Sequence, residues 1–224
     1  MPVFFQHPVS DTTRLGIWKI EENEEFFKGT VPAHRDVTHP HKRLQHLAGR
    51  FLLQFLFPGF PFELIQIADT RKPFLPGEEY HFSISHCGDF AAAIVSKDKR
   101  VGIDIEIPIE KIIRIQDKFL TEEEKKMFGV RNQESGEETP DSRLLTPDSQ
   151  LPAPDSRLPT LLWSAKESIF KWYGDGGVDF RKHIQLQKKD PGTEIISCLF
   201  TKTNQTLLIH YKEFDHLMMA WVVS

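Results

Sequence analysis

The chain has 224 residues and only two cysteines, Cys87 and Cys198, isolated from each other in the sequence. That excludes a disulfide framework and a cysteine zinc cluster. It also has no apolar run near the roughly 18–20 residues of a membrane span. The opening MPVFFQHPVS lacks the charged n-region and cleavage pattern of a secretion signal, so a cytoplasmic protein with no membrane attachment is expected. Cations are not in excess: 28 Lys and Arg against 32 Asp and Glu give a net charge of −4. Broad nucleic-acid binding by counterion release is therefore not expected, and any basic site must be local. Hydrophobic residues make up 39% and charged ones 27%, enough apolar surface for a packed core without covalent staples.

One stretch has too few core-forming residues. TPDSRLLTPDSQLPAPDSRLP, residues 139–159, repeats a seven-residue unit three times with a proline in each copy. Proline at that spacing breaks a helix, so residues 131–160 read as a disordered insert tolerated in a surface loop. The remainder divides into two α+β halves of similar plan. The first, residues 1–104, has an amphipathic helix over 42–57 and the hairpin-like HFSISHCGDFAAAIVS. A strand and helix over 105–130 open the second half, which continues over 161–224 with a helix at 161–173 and the strand-like IQLQ, TEIISCLF and TLLIHYKEFDHLMMAWVVS. Halves that close on each other would place a cleft at their junction.

Three clusters carry possible chemistry. Residues 101–107, Val-Gly-Ile-Asp-Ile-Glu-Ile, alternate strictly, so a strand turns the isoleucines to one face and Asp104 and Glu106 to the other. An exposed strand face could carry acids too. Yet neighbouring like charges repel unless a cation lies between them, and oxygen ligands alone favour Mg2+ or Mn2+. In Trp163-Ser-Ala-Lys-Glu-Ser-Ile-Phe-Lys171, helical spacing puts Leu162, Ala165, Ile169 and Trp172 on an apolar stripe, with Glu167 and Lys171 together on the opposite side. Lys166 falls inside the apolar arc, where an ammonium must snorkel or find an anion. The third cluster is a stripe of Arg43, His46 and Arg50 on the first helix, with Arg71, Lys72 and the Ser85-His86-Cys87-Gly88 turn elsewhere in the same half. A solvated helix face or a site for a multiply phosphorylated ligand would both look like this.

The order FSISHCG, VGIDIE, WSAKESIFK resembles the three signatures of the 4′-phosphopantetheinyl transferases, and KRLQHLAGRFLL and RKPFL upstream look like that family's N-terminal half. The resemblance runs from about residue 15 to the C-terminus, apart from the insert. It departs from the family in that insert and at Cys87, where serine is frequent.

The resemblance implies the larger, monomeric type, two α+β halves related by a pseudo-twofold axis, each with a helix on a small, mostly antiparallel sheet. It implies transfer of the phosphopantetheine arm of coenzyme A to a serine of an apo acyl or peptidyl carrier protein, releasing adenosine 3′,5′-bisphosphate. Asp104, Glu106 and Glu167 match the family's magnesium ligands. Lys166 and Lys171 would neutralise the phosphates; Arg43, Arg50, Lys72, Ser85 and His86 would hold the diphosphate and 3′-phosphate. The serine proton would pass to Glu167, or to a metal-bound water it orients, with Glu124 as the second candidate, although Thr121 to Glu124 also spells a helix capping box. Two rivals exist. Magnesium nucleases also pair acids with a Glu-Lys cluster, but at a different spacing, and a silent binder of coenzyme A would have little reason to keep three acids together.

Overall fold

The structure is a computed structural model and describes residues 3–31, 37–130, 156–189 and 192–224. It is α+β, with two antiparallel sheets and a long helix against each. The first sheet has the order β1-β2-β6-β5, from β1 (Val3–Pro8), β2 (Thr13–Lys19), β5 (His81–Cys87) and β6 (Phe90–Ser96). The second has the order β7-β11-β10-β9-β8, from β7 (Val101–Glu106), β8 (Ile184–Lys189), β9 (Ile195–Phe200), β10 (Gln205–Glu213) and β11 (Met218–Val223). A short ribbon of β3 (Gln66–Ile67) and β4 (Pro73–Phe74) lies between helix α2 (Pro40–Leu56) and β5 in the chain, and the short helix α3 (Lys111–Ile115) follows β7. The halves share a plan, not a strand count. The passage from one sheet to the other falls between Ser96 and Val101, a few residues ahead of the 104/105 division read from the sequence.

Side-chain alternation assembles these parts into four layers. Helix α2 (Pro40–Leu56) buries Leu47, Ala48, Leu52 and Leu53 against Trp18, Ala91, Ala93 and Val95 on one face of the first sheet. The opposite face, with Leu15, Ile17, Ala92 and Ile94, packs on Val101, Ile103, Ile105, Met219 and Trp221 of the second sheet. On the far side Met218, Ala220 and Val222 meet Leu162, Ala165, Ile169 and Trp172 of helix α5 (Arg157–Tyr173). The period of two in a strand thus gives β2, β6, β7 and β11 buried residues on both faces, while β9 and β10 bury only one. Asp104 and Glu106 consequently point to the α5 side.

The two sheets are stitched at one margin by side chains. Ser83 Oγ accepts the Ile103 N–H at 3.2 Å, Ser85 Oγ the Ile105 N–H at 3.3 Å, and Cys87 Sγ the Ile107 N–H at 3.3 Å. Alternate residues of β5 so stand in for the backbone of a neighbouring strand along β7. Cys87 fills the third of these positions, so a thiol there keeps the pattern its serine neighbours set.

Residues 131–155 of the expected insert lie outside the described residues. The rest of it does not behave as an insert. Ser156 and Thr160 are buried, Thr160 Oγ1 donates to Ser156 O at 2.7 Å, and Arg157 Nη1 and Nη2 donate to Asp215 O and Phe214 O at 2.7 and 2.9 Å. Pro159 sits in the first turn of α5, where its missing N–H breaks no helical bond. The end of the third repeat copy is the beginning of the helix.

Candidate functional site

At the stitched margin, Ser85, Asp104 and Lys171 form a closed triangle. Ser85 Oγ donates to Asp104 Oδ1 at 2.8 Å, and Lys171 Nζ donates to that same oxygen at 2.7 Å and to Ser85 Oγ at 2.8 Å. Each corner comes from a different element: β5 of the first sheet, β7 of the second, and α5. The approach of α5 to β7 requires Gly102, because a Cβ there would overlap the Ser168 carbonyl oxygen and the Trp172 nitrogen. The site belongs to the junction and to neither half alone.

Around the triangle the acids are crowded. Glu106 lies two positions along β7; its Oε1 accepts from Trp163 Nε1 at 3.4 Å and its Oε2 from Cys87 Sγ at 3.4 Å. Burial, then the Asp104 charge, pushes its pKa up. Glu167 follows the same logic: burial first, then Asp104, raise it to about 7, with Lys171 opposing. Asp104 itself is buried, and its Oδ2 has no hydrogen-bond partner. An orphaned carboxylate oxygen beside two acids that resist ionisation lacks positive charge. Hard oxygen donors of this kind suit Mg2+ or Mn2+. Among the described residues, however, no three acidic, histidine or cysteine side chains meet at coordination distance, and the cation on Asp104 is the Lys171 ammonium. In charge and donor chemistry Asp104, Glu106 and Glu167 fit a divalent ion.

A cavity of about 230 Å³ opens beside the triangle and adjoins one of about 260 Å³, the two sharing Lys72, Pro73, Phe82 and Gly174 as walls. The smaller reaches Lys171 and Arg71, the larger Arg100. Lys72 Nζ donates to the Trp172 carbonyl at 3.2 Å, and burial, then Arg100, lowers its pKa to about 8. A half-desolvated ammonium beside a second cation favours an anionic guest. His86 is exposed on the α2 side of β5; desolvation by the surrounding protein, then Lys171 and Lys42, hold its pKa down. Lys42, one helical position and about 100° from Arg43, is exposed and adds positive charge near His86.

Other expected members lie elsewhere. Arg43 turns to α1 (Glu24–Lys28): its Nε donates to Glu24 Oε1 at 2.7 Å, its Nη1 to Val37 O at 2.8 Å, and it holds Glu24 near a pKa of about 2. Arg50 is buried in α2, its pKa lowered by burial, with Nη1 unpartnered and no hydrogen bond to the acidic cluster.

Lys166 is fully buried, and its ammonium donates to Glu124 Oε2 at 2.8 Å, Phe180 O at 2.9 Å and Ile184 O at 2.8 Å. Glu124 is equally engaged. It closes the capping box of α4 (Glu122–Phe128), accepting the Thr121 N–H at 2.9 Å, and takes the Leu186 N–H of β8 at 2.9 Å. The anion that Lys166 needs is therefore internal, and this pair stands apart from the triangle.

A family model described as the 4′-phosphopantetheinyl transferase superfamily matches residues 100–222, which include Asp104, Glu106, Glu167 and Lys171. The chain is similar to enterobactin synthase component D of Escherichia coli (strain K12), 39% identical over 66 residues that cover 29% of this chain and 31% of that protein. Proteins of the same name from Shigella flexneri and Salmonella austin are 38% and 37% identical over 66 and 65 residues; the matched stretch is 29% of this chain in both, and 31% and 27% of the relative. Each of these alignments spans less than a third of the relative's length.

Proposed function

Because the chain belongs to the 4′-phosphopantetheinyl transferase superfamily, whose model spans more than half of it, we propose that it transfers the 4′-phosphopantetheine arm of coenzyme A to a serine hydroxyl of an apo acyl or peptidyl carrier protein. The observation that carries this reading is the triangle of Ser85, Asp104 and Lys171 with Glu106 and Glu167 beside it. It sets acids, an ammonium and a cation-walled cavity at one junction, as a diphosphate substrate requires.

In this reading the serine oxygen attacks the phosphorus that bears the pantetheine arm. The bond from that phosphorus to the bridging oxygen breaks, and adenosine 3′,5′-bisphosphate leaves with the bridging electron pair. Asp104, Glu106 and Glu167 would hold Mg2+ or Mn2+, and a bound ion supplies Lewis acidity and charge neutralisation to the diphosphate. Lys171 faces the leaving phosphate and offsets its growing charge. Lys72 and His86 are assigned to the phosphates of coenzyme A, Arg43 and Arg50 being turned to Glu24 and buried in α2, and Ser85 orients both Asp104 and Lys171. Glu167, a carboxylate of the same cluster, is assigned to take the proton of the attacking serine. Glu124 has each oxygen engaged by donors and is not assigned that task.

The experiment is to incubate the protein with coenzyme A, magnesium and several apo carriers and to weigh the products. A carrier heavier by one phosphopantetheine is the expected result, and unmodified carriers throughout would overturn the reading. Calorimetry with coenzyme A and dephospho-coenzyme A tests the phosphate assignments: charge-assisted hydrogen bonds are each worth about 1.5–3 kcal/mol before screening, so equal affinities would remove them.

A further inference from the structure

The Glu124–Lys166 pair carries no assigned task in the transfer, yet Lys166 immediately precedes Glu167 on α5. We propose that Glu124 and Lys166 are positioning residues whose buried ion pair fixes the roll of α5 about its axis, and so sets Glu167 and Lys171 against Asp104. The proposal rests on the transferase reading of that acidic cluster.

Three observations support it. The apolar face of α5 sets which side meets the sheet, and contacts on its two flanks fix the remaining roll. Helix α5 is held on the β7 side by the close approach at Gly102, where Ser168 and Trp172 touch the strand backbone. About 100° from Glu167 around the helix, all three hydrogens of the Lys166 ammonium are fixed, on Glu124, Phe180 O and Ile184 O. Glu124 is itself pinned from two directions, by the start of α4 and by the edge of β8. A roll of α5 would break all of these contacts together, and at the other end it would draw Lys171 off Asp104 Oδ1, where the contact is 2.7 Å. Displacement of a reacting group by about 1 Å costs on the order of 100-fold in rate.

The test is a double-mutant cycle of Glu124→Gln, Lys166→Met and the two combined, read by kcat and KM for coenzyme A, by the pH profile of kcat, and by hydrogen exchange of the α5 amides. Each single change strands a polar or charged partner and should lower kcat by about 100-fold and loosen the protection of α5. The double change removes both charges at nearly constant volume, and buried pairs so replaced can be close to neutral. It should therefore recover at least about tenfold over Glu124→Gln, with the rising limb of the pH profile unmoved and exchange protection restored. A proton acceptor lost at position 124 cannot be recovered by a change at 166. A folded double variant no faster than Glu124→Gln would overturn the proposal. Should the single variants not fold, comparing the double variant with the parent decides: kcat within about tenfold of the parent and an unmoved pH limb support it, and a loss of the limb sinks it. Absence of transfer by the parent with every carrier would count against the transferase reading itself, while the exchange cycle would still report whether the pair holds α5.

Discussion

The ammonium of Lys171 lies 2.7 Å from Oδ1 of Asp104, and the other oxygen of that carboxylate, Oδ2, is buried without a partner. Lys171 and Ser85 hold one oxygen, while the other has no partner among the described residues. The two strands of the junction and the helix above them converge on this single carboxylate.

Replacing Asp104 by Asn or Ala should lower transfer by at least about 10²–10³-fold. The side chain projects from β7 toward α5 and fills little core volume, so the circular dichroism spectrum should match the parent. A folded variant with parental turnover in magnesium would remove Asp104 from the site.

Glu167 makes stability depend on pH in a definite direction. Its pKa in the folded chain, about 7, lies above that of an unfolded glutamate near 4.5. The unfolded state therefore loses its proton first, and stability falls as pH rises from about 4.5 to about 7, by up to the order of 3 kcal/mol. In chelator, the melting temperature of the parent should rise relative to Glu167→Gln as pH is lowered from 7.5 to 5.5. Parallel curves for the two proteins would contradict the raised pKa.

Gly102→Ala should be costly despite adding one methyl group. The new carbon falls on the Ser168 carbonyl and the Trp172 nitrogen, both helix backbone, so α5 must lift from β7. Overpacking of this kind typically costs about 1–3 kcal/mol. The lift also separates Lys171 from Asp104, so kcat should fall by more than the melting shift alone explains. Unchanged kcat in a destabilised variant would show that the spacing of α5 and β7 does not set the site.

A deletion of residues 139–159 is expected from the sequence to be silent. The structure reverses that expectation, because the deletion removes Ser156 and Arg157 and with them the bonds to Phe214, Asp215 and Thr160. A fall of the order of 5 °C or more in melting temperature should result. Arg157→Ala should reproduce part of it, and a scan showing no change for either would return these residues to the insert.

Much of the site was legible because its parts are local. Strict alternation over 101–107 is enough to put Asp104 and Glu106 on one side of a strand, and a helical wheel is enough to see that Lys166 sits where an ammonium needs an anion. What the anion is could not be read, since Glu124 lies 42 residues earlier and the chain between them does not betray that α4 and α5 meet over β8. Arg43 misled for a similar reason: seven-residue spacing from Arg50 defines a shared face, but Glu24 of another helix decides where the guanidinium turns. Strand β2 left little trace, because it buries Thr13, Leu15, Gly16, Ile17 and Trp18, and a strand covered on both faces shows no alternation.

Among the described residues, strand β8 has β9 as its one strand neighbour, and Glu124 and Lys166 occupy its Leu186 N–H and Ile184 C=O. A carboxylate and an ammonium thus stand where the carbonyl and amide of an added strand would bind. Open sheet margins invite chains to stack on one another, and this pair plugs such a margin with two charges that a visiting strand would have to displace. Losing it would unmask a template for self-assembly, so concentrated solutions of the single variants should be watched for fibrils as well as for lost turnover.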